Sequence, residues 1–345
     1  MRSIALTRAS ILCPITAFLG RVGAPVESLL ASAGLPAWVL GDPEGLIPTS
    51  SAVRLLNLAA RTEGIENFGL QVGERAEIEA LGVFGRLICG TATLGQALEV
   101  AVHNCPTFTS DGRMWLAMHE DDVELCQAFG KPFDGWQQAS HYALMLMLAM
   151  IRLGAGPTWR PAEVRLQSDE SVALRDAEFL SAARLAFGQP ATSIKIPRGL
   201  LDRPLERRGH GLRNADDDID AWKASAPAGD FVASITQLIE TLSREGYPAI
   251  HVTARILGTS VRSLQRRLAT VGLTHESLVG HVRFTTAAVL LGETQSKVLD
   301  IALDLGYSDH AHFTRAFRRW AGCSPQEFRN NLRQCQRDGF HGLSG

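Results

Sequence analysis

The six cysteines of this 345-residue chain, Cys13, Cys89, Cys105, Cys126, Cys323 and Cys335, form no CxxC pair and no close cluster. Such spacing argues against a disulfide framework and reads as reduced, mostly buried thiols of a cytoplasmic protein. Long hydrophobic runs are missing too. Tyr142–Ile151, the longest, is about half a membrane span and ends at Arg152, so a core helix is expected there. Ser10–Leu19 follows Arg2 and Arg8 in the manner of a secretion signal, but it contains Pro14 and lacks a small-x-small cleavage site. No export signal and no membrane anchor are expected. The signatures of catalysis are also absent: there is no GxSxG elbow, no phosphate-binding loop and no dinucleotide fingerprint. Neither an enzyme activity nor a cofactor is expected.

What is present is core-forming material, 46% hydrophobic and 20% charged residues, enough for two domains of ordinary size. The net charge of −2 hides an uneven distribution. Residues 1–229 carry 21 Lys/Arg against 26 Asp/Glu, a net of −5. Residues 250–337 carry 12 Lys/Arg against 6 Asp/Glu, a net of +6, and 11 of those cations are Arg. An Arg-rich end on an acidic body suits a domain that faces phosphate, although a solvated basic face would look the same without a motif to support it.

Along the chain, helices are expected at Val26–Ser32, at a segment capped by Ser50 or Ser51 and ending near Gly64, and at Leu94–His103 behind the N-cap Thr93. "GDPEGLIP" reads as a loop. "RMWLAMH" and "DVELCQAF" flank an acidic turn and predict a β-hairpin. Trp136–Leu153 predicts a long apolar helix, "AEVRLQ" and "TSIKIP" predict short strands, and a helix is expected between them near Val172–Leu185. The result is an α+β domain over 1–205. Residues 206–229 are charged and lack a core-forming run, as in a linker carrying at most one helical turn around Asp217–Lys223. An all-α domain of six or seven helices follows over 230–337, with a tail at 338–345.

Two segments near the C-terminus share a spacing. In "VTARILGTSVRSLQRRLATVG", Ala254 precedes Gly258 by four positions, and a helix then opens at Ser260 with the apolar pair Leu264/Leu268. In "DIALDLGYSDHAHFTRAFRRWAG", Ala302 precedes Gly306, and the next helix opens at Ser308 with the pair Phe313/Phe317. The small residue lets two helices cross closely, and the Gly supplies a positive φ at the turn. The i, i+4 pair seats the second helix while leaving its other face open. Such a unit is a helix-turn-helix, and the second has one more residue in its turn. Its open faces carry Arg262, Gln265 and Arg266 in one unit and His310, Ala311, Thr314 and Arg315 in the other. Arg and Gln suit bidentate contacts to guanine and adenine edges. Arg267, Arg318 and Arg319 lie to the side and suit phosphates.

The second unit and its flank, "IALDLGYSDHAHFTRAFRRWAGCSPQEFR", resemble the signature of the AraC/XylS family of transcription regulators. The matching residues are Ile301-Ala302, Leu305-Gly306-Tyr307, His312-Phe313, Arg315-Ala316-Phe317, Gly322, Ser324-Pro325 and Phe328-Arg329. "SLQRRL" is similar to the first recognition helix of that family, and "HVRFTTAAVLL" to the helix joining its two subdomains. "LLASAGLPAWVLGDPEGLIP", "FGLQVGE", "GVFGRLICGTATLGQALEVAV" and "AEFLSAARLAFGQPATSIKIPRGLLDRPL" resemble the arabinose-binding-type effector domain of many such regulators. The resemblance implies an α+β N-terminal effector domain followed by an all-α C-terminal domain with two helix-turn-helix subdomains. It also implies a double-stranded DNA partner read in two successive major grooves, a small-molecule effector of unknown identity, RNA polymerase as a further partner, a homodimer and an activator role.

Competing readings stay in view. His310-Ala311-His312 has the look of a metal site, but no Cys or carboxylate group is placed to complete a ligand set, and no metal is expected. A partner-docking helical bundle on a ligand-binding protein or enzyme would not put Arg and Gln on the open face of both turned helices. The N-terminal domain could serve dimerisation alone. Trp136, His141, Met145, Met147 and Met150 share one apolar helix that could line a pocket, yet a Met-rich helix is more often core.

Overall fold

The computed structural model describes residues 3–130, 135–205, 216–243, 246 and 248–341, the side chains of 216, 217 and 335–341 excepted. It divides into two compact units, Met1–Ser234 and Ile235–Gly345, the division falling inside the helix Phe231–Ser243.

In the first unit the expected hairpin forms from β3 (Gly112–Met118) and β4 (Asp122–Phe129), after the short strands β1 (Leu6–Arg8) and β2 (Leu46–Pro48). β5 (Glu163–Arg165), β6 (Arg184–Ala186) and β7 (Thr192–Pro197) complete a five-stranded sheet in the order β3-β4-β7-β5-β6, antiparallel except for the β5–β6 pair. Side-chain alternation sorts its two faces. Val123 lies opposite Ile196 and Leu125 opposite Ile194, all four without exposed surface. On the other face Lys195 meets Asp122 at 2.9 Å, and Arg165 meets Glu124 at 3.5 Å.

The long apolar helix spans Trp136–Ala155 and buries Leu144 to Leu148 in one continuous run. A helix buried nearly all round needs partners on several sides. One is Phe68–Glu74, whose approach depends on Gly69 and Gly73: added Cβ atoms would lie 2.1 Å from the Gln138 carbonyl oxygen and 2.2 Å from Met145 Cβ. His141 and Met145 thus face this contact, whereas Trp136 and Met150 line an apolar cavity within the unit. Thr93 caps Leu94–Phe108 through a hydrogen bond from the Gln96 amide, as expected, and the helix runs past His103.

Several local expectations give way to long-range pairing. "GDPEGLIP" is not all loop, because Leu46–Pro48 pairs with β1 in a fully buried ladder whose backbone groups need partners. The next helix, Thr49–Thr62, starts directly after Pro48 with no side-chain cap, so neither Ser50 nor Ser51 serves. The helix expected at Val172–Leu185 shrinks to Val172–Arg175 and a 3-10 turn at Glu178–Leu180. Arg184–Ala186 instead adds an edge strand to β5, held also by Arg184 N–H to the Ala162 carbonyl and Leu166 N–H to the Ala186 carbonyl.

Of the segment expected as a linker, residues 206–215 lie outside the described residues. Asp216–Ala224 is a helix, longer than one turn, and it is built into the first unit through Trp222, which is 2% exposed. Arg8 holds its end. The guanidinium donates to the carbonyls of Trp222 and Ser225 at 2.7 and 2.8 Å, and also to those of Glu44 and Thr107. It lies over the Trp222 ring as well. Nearby, the Ile4 amide donates to Ser234 Oγ at 3.0 Å.

The second unit is all helical, as expected. Seven helices occupy its described residues and the approach to them: Phe231–Ser243, Ile250–Ile256, Val261–Ala269, His275–Glu293, Val298–Asp304, His310–Ala321 and Pro325–His341. Leu238, Leu242 and Ile256 form one small core, and Ala287, Leu291, Ile301, Ala302, Phe313 and Phe317 form another. The first joins Phe231–Ser243 to Ile250–Ile256, and the second takes residues from both helices of the turn-linked pair Val298–Asp304 and His310–Ala321.

His141 gives this fold a pH signature. It is 1% exposed, neither ring nitrogen has a partner, and burial pushes its pKa down to about 4. The unfolded chain takes up this proton near pH 6.5 and the folded chain does not. The contribution is therefore complete above about pH 6.5 and falls by up to about 1.4 kcal/mol per pH unit toward pH 4. The expected outcome is that His141→Leu narrows the gap between the melting temperatures at pH 7.5 and pH 5.0. An unchanged gap in thermal melts would show that His141 is protonated or solvated in the fold.

Candidate nucleic-acid interface

The two turn units close by the same hydrogen bonds. In the first, Gly258 has φ +63°, its N–H donates to the Arg255 carbonyl, and Thr259 N–H donates to the Ala254 carbonyl. In the second, Gly306 has φ +74°, its N–H donates to the Leu303 carbonyl, and Tyr307 N–H donates to the Ala302 carbonyl. These paired bonds are the Schellman ending, whose left-handed position favours Gly. Ala254 and Ala302 are buried at the crossings, at 1% and 0% exposure.

After the turns the units diverge. Ser260 caps Val261–Ala269, its hydroxyl accepting from the Ser263 amide at 3.1 Å. In the second unit the cap is Asp309 and not Ser308: its carboxylate accepts from the His312 amide at 2.7 Å, and Ser308 Oγ donates to the same carboxylate. The extra residue read from the spacing is thus absorbed before the cap. The His312 amide, with the Ser308 hydroxyl and the Ala311 amide, holds the Asp309 carboxyl below the usual carboxylate range. An ionised cap at the positive end of the helix dipole orders the first turn.

Leu264, Leu268, Phe313 and Phe317 are all buried, so the open faces are those expected. Arg262, Gln265 and Arg266 are exposed on Val261–Ala269, and Arg267 is half-buried. His310, Ala311, Arg315, Arg318 and Arg319 are exposed on His310–Ala321. Helical spacing puts Arg262 and Arg266 on one stripe, and Ala311, Arg315 and Arg318 on another, so Arg318 shares the Arg315 face. Thr314 departs from the rest. It is half-buried, and its Oγ1 is enclosed with no hydrogen-bond partner, so in this arrangement the hydroxyl is turned away from solvent. Among the described residues, no group of three or more metal-ligating side chains occurs, and His312 instead lies at the edge of the Tyr307 ring.

Supporting residues emerge that the recognition pattern alone did not single out. His275 Nε2 and Thr253 Oγ1 form a buried hydrogen bond of 3.0 Å between the first turn unit and the connecting helix His275–Glu293. Arg283, on that connecting helix, donates to the Gly306 carbonyl at 3.3 Å and lies 4.7 Å from the Tyr307 ring centre. Arg329, 6% exposed, donates to the carbonyls of Leu291 and Ser296 at 3.2 and 2.7 Å. Both Arg residues brace backbone at the second unit. Arg283 carries a signal in sequence, its place between Val282 and Phe284, whereas Arg329, between Phe328 and Asn330, carries none.

Residues 23–205 match the family described as the arabinose-binding domain of AraC transcription regulator, N-term, and residues 253–331 match a helix-turn-helix domain family. The chain is 27% identical over 312 residues to the ornithine utilization regulator of Pseudomonas aeruginosa, covering 89% of this chain and 91% of that one. It is 24% identical over 347 residues to the HTH-type transcriptional regulator VirS of Mycobacterium tuberculosis, covering 94% and 96%. Over 86 residues it is 40% identical to the regulatory protein SoxS of Escherichia coli, covering 24% of this chain and 78% of that protein.

The bracing role of Arg329 separates stability from DNA contact. Arg329→Leu leaves two backbone carbonyls without their charged donor, an expected loss of about 2–4 kcal/mol in the unfolding of the second unit. Urea titration followed by helix signal measures it. A variant with full stability and weakened DNA binding would instead mark Arg329 as a phosphate contact.

Proposed function

Because the chain belongs to the AraC family of DNA-binding transcription regulators, we propose that its two recognition helices read two adjacent major grooves of a promoter under the control of a small-molecule effector. The observation that carries this reading is the pair of identically closed turns, each presenting an exposed Arg stripe on a short, apolar-seated helix. Arg262, Gln265 and Arg266 read base edges in one half-site, and His310, Ala311 and Arg315 in the other. Thr314 joins them only if its hydroxyl turns outward. Arg267, Arg318 and Arg319 serve phosphates, with Arg318 close enough to the Arg315 stripe to share its groove. Since the two faces differ in composition, the operator has a direction.

The first unit, with the arabinose-binding-type domain at 23–205, senses the effector and mediates homodimerisation. Binding shifts the population between DNA-competent and incompetent arrangements. The regulator acts in the cytoplasm as an activator through RNA polymerase, with no catalytic step of its own. Among the described residues, no helix is long and apolar enough to cross a membrane.

Two outcomes test this reading. Arg266→Ala or Arg315→Ala is expected to cost about 1–3 kcal/mol and to relax base preference at one operator position. Footprints and affinities of either variant that match the parent at physiological salt would remove its helix from the groove. The 229–345 fragment is expected to keep sequence-specific binding and to lose every effector response. Gel-shift titration would refute the domain assignment if a folded fragment bound all sequences alike.

A further inference from the structure

The cavity inside the first unit differs in chemistry from what a sugar or an amino acid requires. Its volume is about 100 Å³, and among the described residues no Asp, Glu, Lys, Arg or His side chain lines it. Five aromatic rings do: Phe84, Phe108, Phe129, Trp136 and Tyr142. Phe84 stacks on Phe108 with ring centres 4.5 Å apart, and Phe129 meets Trp136 edge-on at 4.7 Å. An apolar cavity of similar scale, about 150 Å³, is known to stay dry and to take up benzene.

Four side-chain polar atoms of the wall are engaged with backbone carbonyls. Thr7 Oγ1 donates to the Phe108 carbonyl, Thr109 Oγ1 to the Leu6 carbonyl, Cys105 Sγ to the Gly112 carbonyl and Tyr142 OH to the Ile11 carbonyl. Gln127, the one amide side chain on the wall among the described residues, is half-buried. Thr49 is different. Only 9% exposed, it lines the cavity, and its Oγ1 is enclosed with no hydrogen-bond partner. Its backbone N–H is fixed on the Ala5 carbonyl, so the residue does not shift readily to find one. A buried hydroxyl left unpaired is costly and marks a place where a partner belongs.

The geometry points to a small, uncharged aromatic molecule of about one ring, carrying at most one hydroxyl-type group paired with Thr49 Oγ1, as the ligand of this cavity. This rests on the effector reading above and gives that effector a chemical class. A charged ammonium or carboxylate would find no counter-ion among the described wall residues, and a pentose would bring several hydroxyls to a wall whose open polar groups are only Thr49 Oγ1 and the Gln127 amide. The class therefore departs from both arabinose and ornithine.

Isothermal titration of the full-length protein with phenol, toluene, L-arabinose and L-ornithine tests the assignment. Phenol and toluene are expected to bind and the other two are not. Ala52→Leu, which fills the cavity from its wall, is expected to abolish both bindings, and Ala143→Leu provides a second filling variant should the first fail to fold. Thr49→Val is expected to weaken phenol by about five- to ten-fold and to leave toluene within about two-fold. Failure of both aromatics to bind, aromatic binding that survives the filling variant, or equal effects of Thr49→Val on both would each overturn the proposal. Operator binding, measured on the same preparations, keeps the two readings apart. Its presence without aromatic binding sinks the ligand class alone, and its absence sinks the regulator reading whatever the cavity holds.

Discussion

Each recognition helix is seated by two apolar side chains four residues apart, and the interface can present only what that seating leaves outside. Val261–Ala269 and His310–Ala321 are too short to be stable alone in water. Leu264 and Leu268, or Phe313 and Phe317, supply the tertiary contact that makes them helices, and the same contact fixes their rotation. Rotation then decides which residues are exposed. Arg262 and Arg266 face outward because Leu264 and Leu268 cannot, and Thr314 is drawn in because it borders the Phe313 row. What this surface exposes is thus a by-product of core packing. Core changes at the Leu or Phe positions act on the same face as changes at the Arg positions.

Arginine plays two opposed parts in this chain. On the open helix faces its charge stays solvated. At Arg8 and Arg329 the same side chain is buried and its fork satisfies backbone carbonyls, several of them at helix ends or in loops where a ladder is missing. Arg283 combines a carbonyl bond with a stacked Tyr ring. Net charge counts these residues alike, which is why the basic balance of residues 250–337 could support a nucleic-acid partner without indicating which cations face it. Burial separates the two groups, and burial is set by distant residues.

The same distinction explains what could be read from sequence. The turns, the apolar pairs, the hairpin and the long apolar helix were legible because each depends on residues within about twenty positions of one another. The cap at Asp309 was misplaced by one residue because Ser and Asp are both good caps, and adjacent candidates compete on geometry alone. β2 and β6 were hidden because their hydrogen bonds go to β1 and β5, and the local sequence of "GDPEGLIP" or of 172–185 prefers loop and helix. Locally, Asp216–Ala224 reads as little more than a turn because three consecutive Asp residues dominate its composition. Its anchoring residue is a lone Trp222, whose partner Arg8 is more than two hundred positions away.

That anchoring places the cavity and the end of the first unit on one strand. β1 contributes Thr7 to the cavity wall, and the next residue, Arg8, holds the carbonyls of Trp222 and Ser225. Neighbouring side chains on a strand point to opposite faces, so one short strand touches the ligand space on one side and the last helix before Ser234 on the other. A ligand can shift a conformational equilibrium only through contacts that differ between the two states. Thr7 is joined to the Trp222 end without a long relay of side chains. A displacement of β1 large enough to admit a ring would strain the Arg8 hydrogen bonds directly, because both depend on the same three-residue ladder to β2. The cavity wall at Thr7 and the hold of Arg8 on Trp222 and Ser225 are therefore one peptide bond apart, although Trp222 and Ser225 lie more than two hundred positions away in sequence.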